Sequence, residues 1–455
     1  MKAFFTKGQA AADKMWNGRY YLPVLLIISA VALLTDTNLE CMFIYVLIAV
    51  FFLIFSDDLM SIVAPVMFTL IVSVKYYRDI TVLIDYMWYA IVPFALALIF
   101  NLIYYRRPFV KGRFTYPLIA VTAALILGGF GSISAEDYFK LVSLYYTLGL
   151  GLAMLLLYLL ACSRLANERK YDRTERLAEI LYAAGLVVVL TLIVFYAENF
   201  EKFLEKRSVL FYKPRNYVTS VLLMCMPMCC LMVKRSNIHL IGMGLMYAAM
   251  ILSGSRSGLL FGTILFVICA VYIYVKNKDS RRLYICLALI LAIPVCFFAV
   301  KYVPELYSSR LVNGNFISGD ETRVKYIRLG TANFLSNPMF GIGIGNIKDI
   351  EVFKAIVPGC IVFYHNMIIQ VISSMGILGI AAYGWHFIAR AGLIWKNRRS
   401  ECFAAYGFSY LGILLMSLTN PGIFCPFPEA GLLLLIFALL EKKSEDSNNI
   451  SEEEK

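Results

Sequence analysis

The sequence predicts an all-α, polytopic membrane protein, and three observations lead there. Of 455 residues 60% are hydrophobic and 16% charged, with a mean hydropathy of +0.73. Apolar runs recur along the whole chain at a length close to the roughly twenty residues that cross a bilayer. The ten-residue apolar–polar alternation of a membrane β-barrel is absent. Together these exclude a soluble enzyme and a barrel.

The chain opens on a basic, polar segment with Lys2, Lys7, Lys14 and Arg19. The first apolar run, Tyr20–Leu34, has no small-residue cleavage site, so it reads as a retained span rather than a signal peptide. Further spans are expected at 40–56, 59–75, 85–104, 115–131, 138–161, 177–197, 216–233, 238–253, 258–275, 283–300, 363–389, 402–419 and 426–440. The runs at 40–56 and 59–75 are short enough to pair as a hairpin, which sets the expectation at roughly twelve to fourteen spans. Residues 1–455 read as one integral membrane domain. The acidic tail 441–455 is expected to be disordered in the cytoplasm.

Charge sets the expected orientation. Arg106/Arg107, Arg169/Lys170, Lys234/Arg235, Arg281/Arg282 and Arg398/Arg399 all fall on one face when the N-terminus is inside. Short basic loops mark the cytoplasmic side, so both termini read as cytoplasmic. The net charge of +12 is thereby accounted for without nucleic acid. The long loop 301–361 then lies outside, as do Glu198–Arg215 and the Gly254–Gly258 turn. Within the loop, Val324, Ile327, Phe334 and Leu335 recur at helical spacing, which predicts a helix lying on the membrane face. Asn337-Pro338 ends it. A second such helix is expected at Glu198–Arg207, where Phe200, Phe203 and Leu204 share a face.

Metal chemistry has little support in the residues. Cysteines lie mostly inside apolar runs and no C-x-x-C joins a histidine. No D-x-D occurs in the outer loops; Asp349-Ile-Glu351 comes nearest. Cys360 and Cys425 share the expected outer face, but spacing alone does not pair them. Neither a metal nor a cofactor is expected.

Among the three histidines, His365 alone faces outward, where a loop meets an apolar helix. Its ordinary pKa near 6.5 suits a general base; a helix-start hydrogen bond is the alternative. A straight helix places His386 about 30 Å deeper, near the inner surface. Asn366 and Gln370 are four apart and share a face, lining a polar site or bonding between helices. Arg256 is the only charge in the SGSRSG turn, where a guanidinium and exposed amides suit a phosphate. A headgroup-facing arginine is its plainer reading. Arg215, beside Lys213, opens another span, and Arg323, Lys325 and Arg328 sit on the loop helix. The GIGIG run Gly341–Gly345 lacks the lysine and strand of a phosphate loop, so it reads as close backbone packing.

In order and placement these pieces resemble the O-antigen ligase and polymerase family of bacterial membrane glycosyltransferases. Arg215-Asn216 opens a span, SGSRSG follows with Arg256, and a long loop carries Arg323. NPMFGIGIGN, His365-Asn366 and a span with Gly376 and Gly379 complete the pattern. The resemblance covers about residues 210–385. It implies a GT-C-like helical enzyme that moves a glycan from undecaprenyl diphosphate to a sugar hydroxyl at the outer leaflet, with inversion and without metal. It also implies diphosphate binding by Arg215 and Arg256, with Arg323 in support, and base catalysis by His365. A polymerase, a ligase and a lipid-glycan flippase remain the readings. No internal repeat or mid-membrane charge pattern singles out the flippase.

Overall fold

The computed structural model describes residues 2–74, 80–131, 141–165, 171–201, 215–277, 281, 315–345 and 363–453. Among these no strand occurs. The main helices are α1 Lys2–Trp16, α2 Tyr21–Thr35, α3 Asn38–Phe55, α4 Val63–Val72, α5 Ile80–Tyr104, α6 Thr115–Leu127, α7 Leu141–Thr147, α8 Met154–Leu165 and α9 Arg173–Glu198. They continue as α10 Arg215–Cys225, α11 Cys229–Met232, α12 His239–Leu252, α13 Arg256–Lys276, α14 Asn315–Ser336, α15 Met367–Lys396, α16 Glu401–Ser417 and α17 Gly431–Glu453. Six segments among the described residues are long and apolar enough to cross a membrane, or seven if the α1–α2 pair, bent by 79°, counts as one. Shorter apolar helices accompany them. The chain is an all-α, multi-pass membrane protein. The expected span 283–300, the second interfacial helix beyond residue 201, Lys213 and Cys360 lie outside the described residues.

The chain packs as two compact units: Met1–Pro108 with Arg169–Arg310, and Phe109–Glu168 with Leu311–Lys455. In the first unit α9 is the hub, packed against α2, α4, α10 and α12. Asp172 starts it, its Oδ1 accepting from the amides of Thr174 and Glu175 at 2.8 and 3.3 Å, an N-cap that stabilises by about 1 kcal/mol. Arg176 of α9 donates to the Trp16 carbonyl at 2.7 Å and lies over the indole. That contact holds α1 against the hub.

In the second unit α15 packs against α6 and α14, and α8 against α17. The core joins Val121, Ala124, Leu125, Ile344, Val371, Met375 and Phe424. The interior of α15 is not continuous helix. Gly376 has φ 61° and ψ −149°, a conformation essentially confined to glycine. An unbroken helix would bond the amides of Ile377 and Leu378 to the carbonyls of Ser373 and Ser374. Here the Ile377 and Leu378 amides donate instead to Pro338 and Met339 carbonyls, at 2.8 and 3.3 Å. The Ser373 and Ser374 carbonyls accept from the amides of Ile342 and Gly343, at 2.8 and 3.0 Å. The Pro338–Gly343 loop is therefore laced into the break, and the four backbone groups stay paired in a setting where an unpaired one costs several kcal/mol. Gly341, at φ 65°, lies so close that a Cβ there would sit 2.6 Å from the Met375 nitrogen. Close backbone packing is thus what the GIGIG run provides.

His386 lies ten residues beyond Gly376, buried beside Phe114. Arg390 is buried as well; its guanidinium lies 4.7 Å from the Phe437 ring centroid, an attraction that offsets desolvation. One expectation needs correcting: the acidic tail begins as helix rather than coil, since α17 runs to Glu453. Glu441 is held by the Tyr158 hydroxyl at 2.6 Å and by the Arg113 amide.

Gly376→Ala is expected to destabilise the protein. A Cβ would sit 2.6 Å from Met339 backbone atoms, and the conformation itself costs a non-glycine residue about 1–3 kcal/mol. The thermal midpoint in detergent should fall by several degrees; an unchanged midpoint contradicts the interlock.

Candidate functional site

His365 sits between the loop and α15 with φ 52°. Non-glycine residues seldom adopt this left-handed region, and such strain tends to gather at functional sites. The residues on either side hold it. Asn366 is the N-cap of α15: its Oδ1 accepts from the amides of Ile368 and Ile369 at 2.9 and 3.1 Å, and its Nδ2 donates to the Leu418 carbonyl at 3.1 Å. The helix-start role that His365 shared as an alternative thus belongs to Asn366. Tyr364 is buried. Its amide donates to Gln370 Oε1 at 3.0 Å, and Gln370 Nε2 donates to Ser374 Oγ at 2.9 Å.

Helix α14 forms the other wall. It ends at Ser336, before Asn337-Pro338 as the sequence predicts, and leaves Val324, Ile327 and Leu335 exposed. Tyr326, on its buried side, lies 5.8 Å from the His365 ring, centroid to centroid. No hydrogen bond to the His365 ring occurs among the described residues. Burial chiefly, and the Arg323 guanidinium second, push the His365 pKa below its ordinary value. Both disfavour the charged imidazolium, so the ring is neutral near pH 7. A neutral imidazole with a vacant hydrogen-bonding nitrogen can take a proton from a hydroxyl. The second unit therefore brings together His365, Arg323 and Asn366.

Arg215 and Arg256 belong to the first unit, where they stand at the starts of α10 and α13. Ser255 caps α13 by accepting from the Gly258 amide at 3.1 Å and donates to Asn216 Oδ1 at 2.8 Å. The Thr219 and Ser253 hydroxyls lie 3.3 Å apart one turn below. These bonds seat the two helix starts side by side, each bearing an arginine. Helix N-termini carry a partial positive charge, which adds to the guanidinium charge, and that combination suits a phosphate-bearing anion. A cavity of about 730 Å³ in this unit is lined by apolar residues such as Phe43, Ile91, Phe94 and Leu98 and by none of the selected site residues.

Comparison with known proteins now bears on the motif pattern. Residues 241–384 match the family model described as O-antigen ligase. The family placement read from the motifs is supported. The matched segment holds Arg256, Arg323, His365 and Asn366; Arg215 lies before it. No curated protein matches the chain. The similarity to O-antigen ligases thus spans residues 241–384, within a multi-pass membrane protein.

Sequence reasoning missed Tyr326, Tyr364, Asn333 and Ser373. Tyr364 adjoins the histidine, yet nothing in its spacing reveals burial. Asn333 sits on a helix whose signal is its apolar face, which points the other way.

Asn366→Ala should lower stability by about 1 kcal/mol through the lost cap and further through the lost donor to the Leu418 carbonyl, whereas Asn366→Asp, which still caps but cannot donate, should lose less. Thermal midpoints of the two variants check this; equal losses would show that the cap is not what Asn366 supplies.

Proposed function

We propose that this protein is a surface-polysaccharide polymerase of the bacterial inner membrane, with both termini cytoplasmic. It transfers a glycan from undecaprenyl diphosphate to a sugar hydroxyl at the outer leaflet. The observation that carries the reading is the strained, half-buried, neutral His365 beside Arg323, inside the segment that matches the family. The acceptor hydroxyl attacks the anomeric carbon, the sugar–phosphate bond breaks, and the diphosphate leaves with the bonding electrons. Attack opposite the leaving group inverts the anomeric centre. His365 takes the hydroxyl proton, and Arg215 and Arg256 stabilise the charge growing on the diphosphate. Fixed cations in low dielectric do this without metal, and no outer carboxylate pair offers ligand spacing for one. Arg323 adds to the burial that keeps His365 neutral, and Asn366 holds the chain that carries it. Support for a polymerase over a ligase is the lack of any segment tailored to one lipid acceptor; the length of the outer loop suits a growing glycan as well as a finished one.

His365→Ala should abolish transfer while protein in the membrane stays at the wild-type level. Because the His365 pKa is lowered, the unprotonated base persists to more acid pH, and the acid limb of the wild-type profile should lie below pH ~6.5. Arg323→Ala should move that limb up. Wild-type transfer should continue in excess chelator. Transfer by His365→Ala, or activity that returns only with added magnesium, contradicts the mechanism.

Arg256→Lys keeps the charge but loses the paired geometry. Donor affinity should fall, and fall further in Arg256→Ala, by roughly 10–100-fold for one charge-assisted contact. Unchanged donor binding in Arg256→Ala and Arg215→Ala removes both from the diphosphate site.

A deletion strain should carry single repeat units on the surface or on the carrier lipid. Size analysis of lipid-linked glycans checks this; a ladder of long chains stranded on the carrier indicates a ligase.

A further inference from the structure

We infer that Tyr364 is a positioning residue for His365, fixing the strained loop so that the imidazole stays against α14. The inference rests on His365 being the base. Tyr364 is 2% exposed, and its ring fills the space beside Gly330 of α14. Its hydroxyl accepts from Asn333 Nδ2 at 2.7 Å and from Ser373 Oγ at 2.7 Å. One phenol thus ties α14 to α15 across the loop that holds His365. Its amide is fixed separately by Gln370, which is also 2% exposed. Ser373 and Ser374 in turn accept from the glycine loop through their carbonyls. Among the described residues, every hydrogen bond that pins the residue before His365 therefore leads to α14 or to the break in α15.

A residue in the left-handed region relaxes readily once its neighbours release it. Loss of the phenol bridge lets His365 turn away from α14, and a base misplaced by about 1 Å can cost up to 10²-fold in rate. Among the described residues, the titratable and charged groups facing His365 are Arg323 and Tyr326 on α14 and Tyr364 beside it. Helix α16 meets the loop through the Leu418 carbonyl, which does not titrate. Release into solvent removes the burial that holds the imidazole neutral, so the acid limb of activity rises in pH.

The test compares purified full-length variants with a lipid-linked donor, wild type and His365→Ala run alongside. Tyr364→Phe keeps the ring and drops the hydroxyl. Expected is roughly a tenfold fall in kcat, donor KM within about twofold of wild type, and an acid limb moved to higher pH. Asn333→Leu leaves Tyr364 whole and should reproduce the loss even where the phenylalanine variant folds poorly. Asn333→Asp restores the bridge with the tyrosine as donor and should keep most of kcat above the limb. Wild-type kcat and an unmoved limb in Tyr364→Phe and Asn333→Leu overturn the inference while the His365 reading stands. Equal losses in all three variants with an unmoved limb mean a merely structural role, and also overturn it. Full activity in His365→Ala brings down the functional reading and this inference with it.

Discussion

Everything around His365 depends on a helix that declines two of its own hydrogen bonds. Helix α15 breaks at Gly376, and the Pro338–Gly343 loop supplies the partners that the break leaves over. In water such a break costs little, because solvent re-pairs the freed groups. In a membrane it persists only where protein re-pairs them. The glycine-rich run is the means: only residues without a Cβ allow two backbones to approach this closely, as at Gly341 and Gly376.

The exchange has a consequence one turn and more away. The Ser373 and Ser374 carbonyls accept from the loop, while their hydroxyls face the other way, toward Tyr364 and Gln370. The same short stretch of α15 thus locks the glycine loop and anchors the residue preceding His365. α14, which enters that loop through Asn337-Pro338, also reaches Tyr364 through Asn333. The loop helix, the break and the histidine form one mechanical piece. For a base that must meet a sugar hydroxyl on a flexible glycan, rigidity of this kind limits the entropy lost on reaching the reactive geometry.

Composition and hydropathy made the helical membrane class legible, since a bilayer leaves few alternatives. The end of α14 at Asn337-Pro338 and the packing role of the glycines were legible too, because proline and glycine act locally. The kink was not. A glycine inside an apolar run looks the same whether the helix continues or breaks, and the choice depends on a loop more than thirty residues earlier. The burial of Arg390 was not legible for that kind of reason: charge says nothing about an aromatic partner such as Phe437. At the site, His365 and Arg256 stood out because a rare residue on an apolar chain is conspicuous. Tyr364 and Tyr326 did not, in a sequence with 30 tyrosines. Asn366 was picked out for a polar site or a bond between helices; it makes the bond, to the Leu418 carbonyl, and also caps α15, a task that spacing alone did not reveal.

Residue-resolved amide hydrogen exchange on the membrane-embedded protein addresses the interlock directly. The amides of Ile342, Gly343, Ile377 and Leu378 should all exchange slowly and at similar rates, because each is bonded across the break. Slow exchange at Ile377 and Leu378 with fast exchange at Ile342 and Gly343 would mean that α15 keeps its own hydrogen bonds and the loop lies free, and the placement of His365 would lose its foundation.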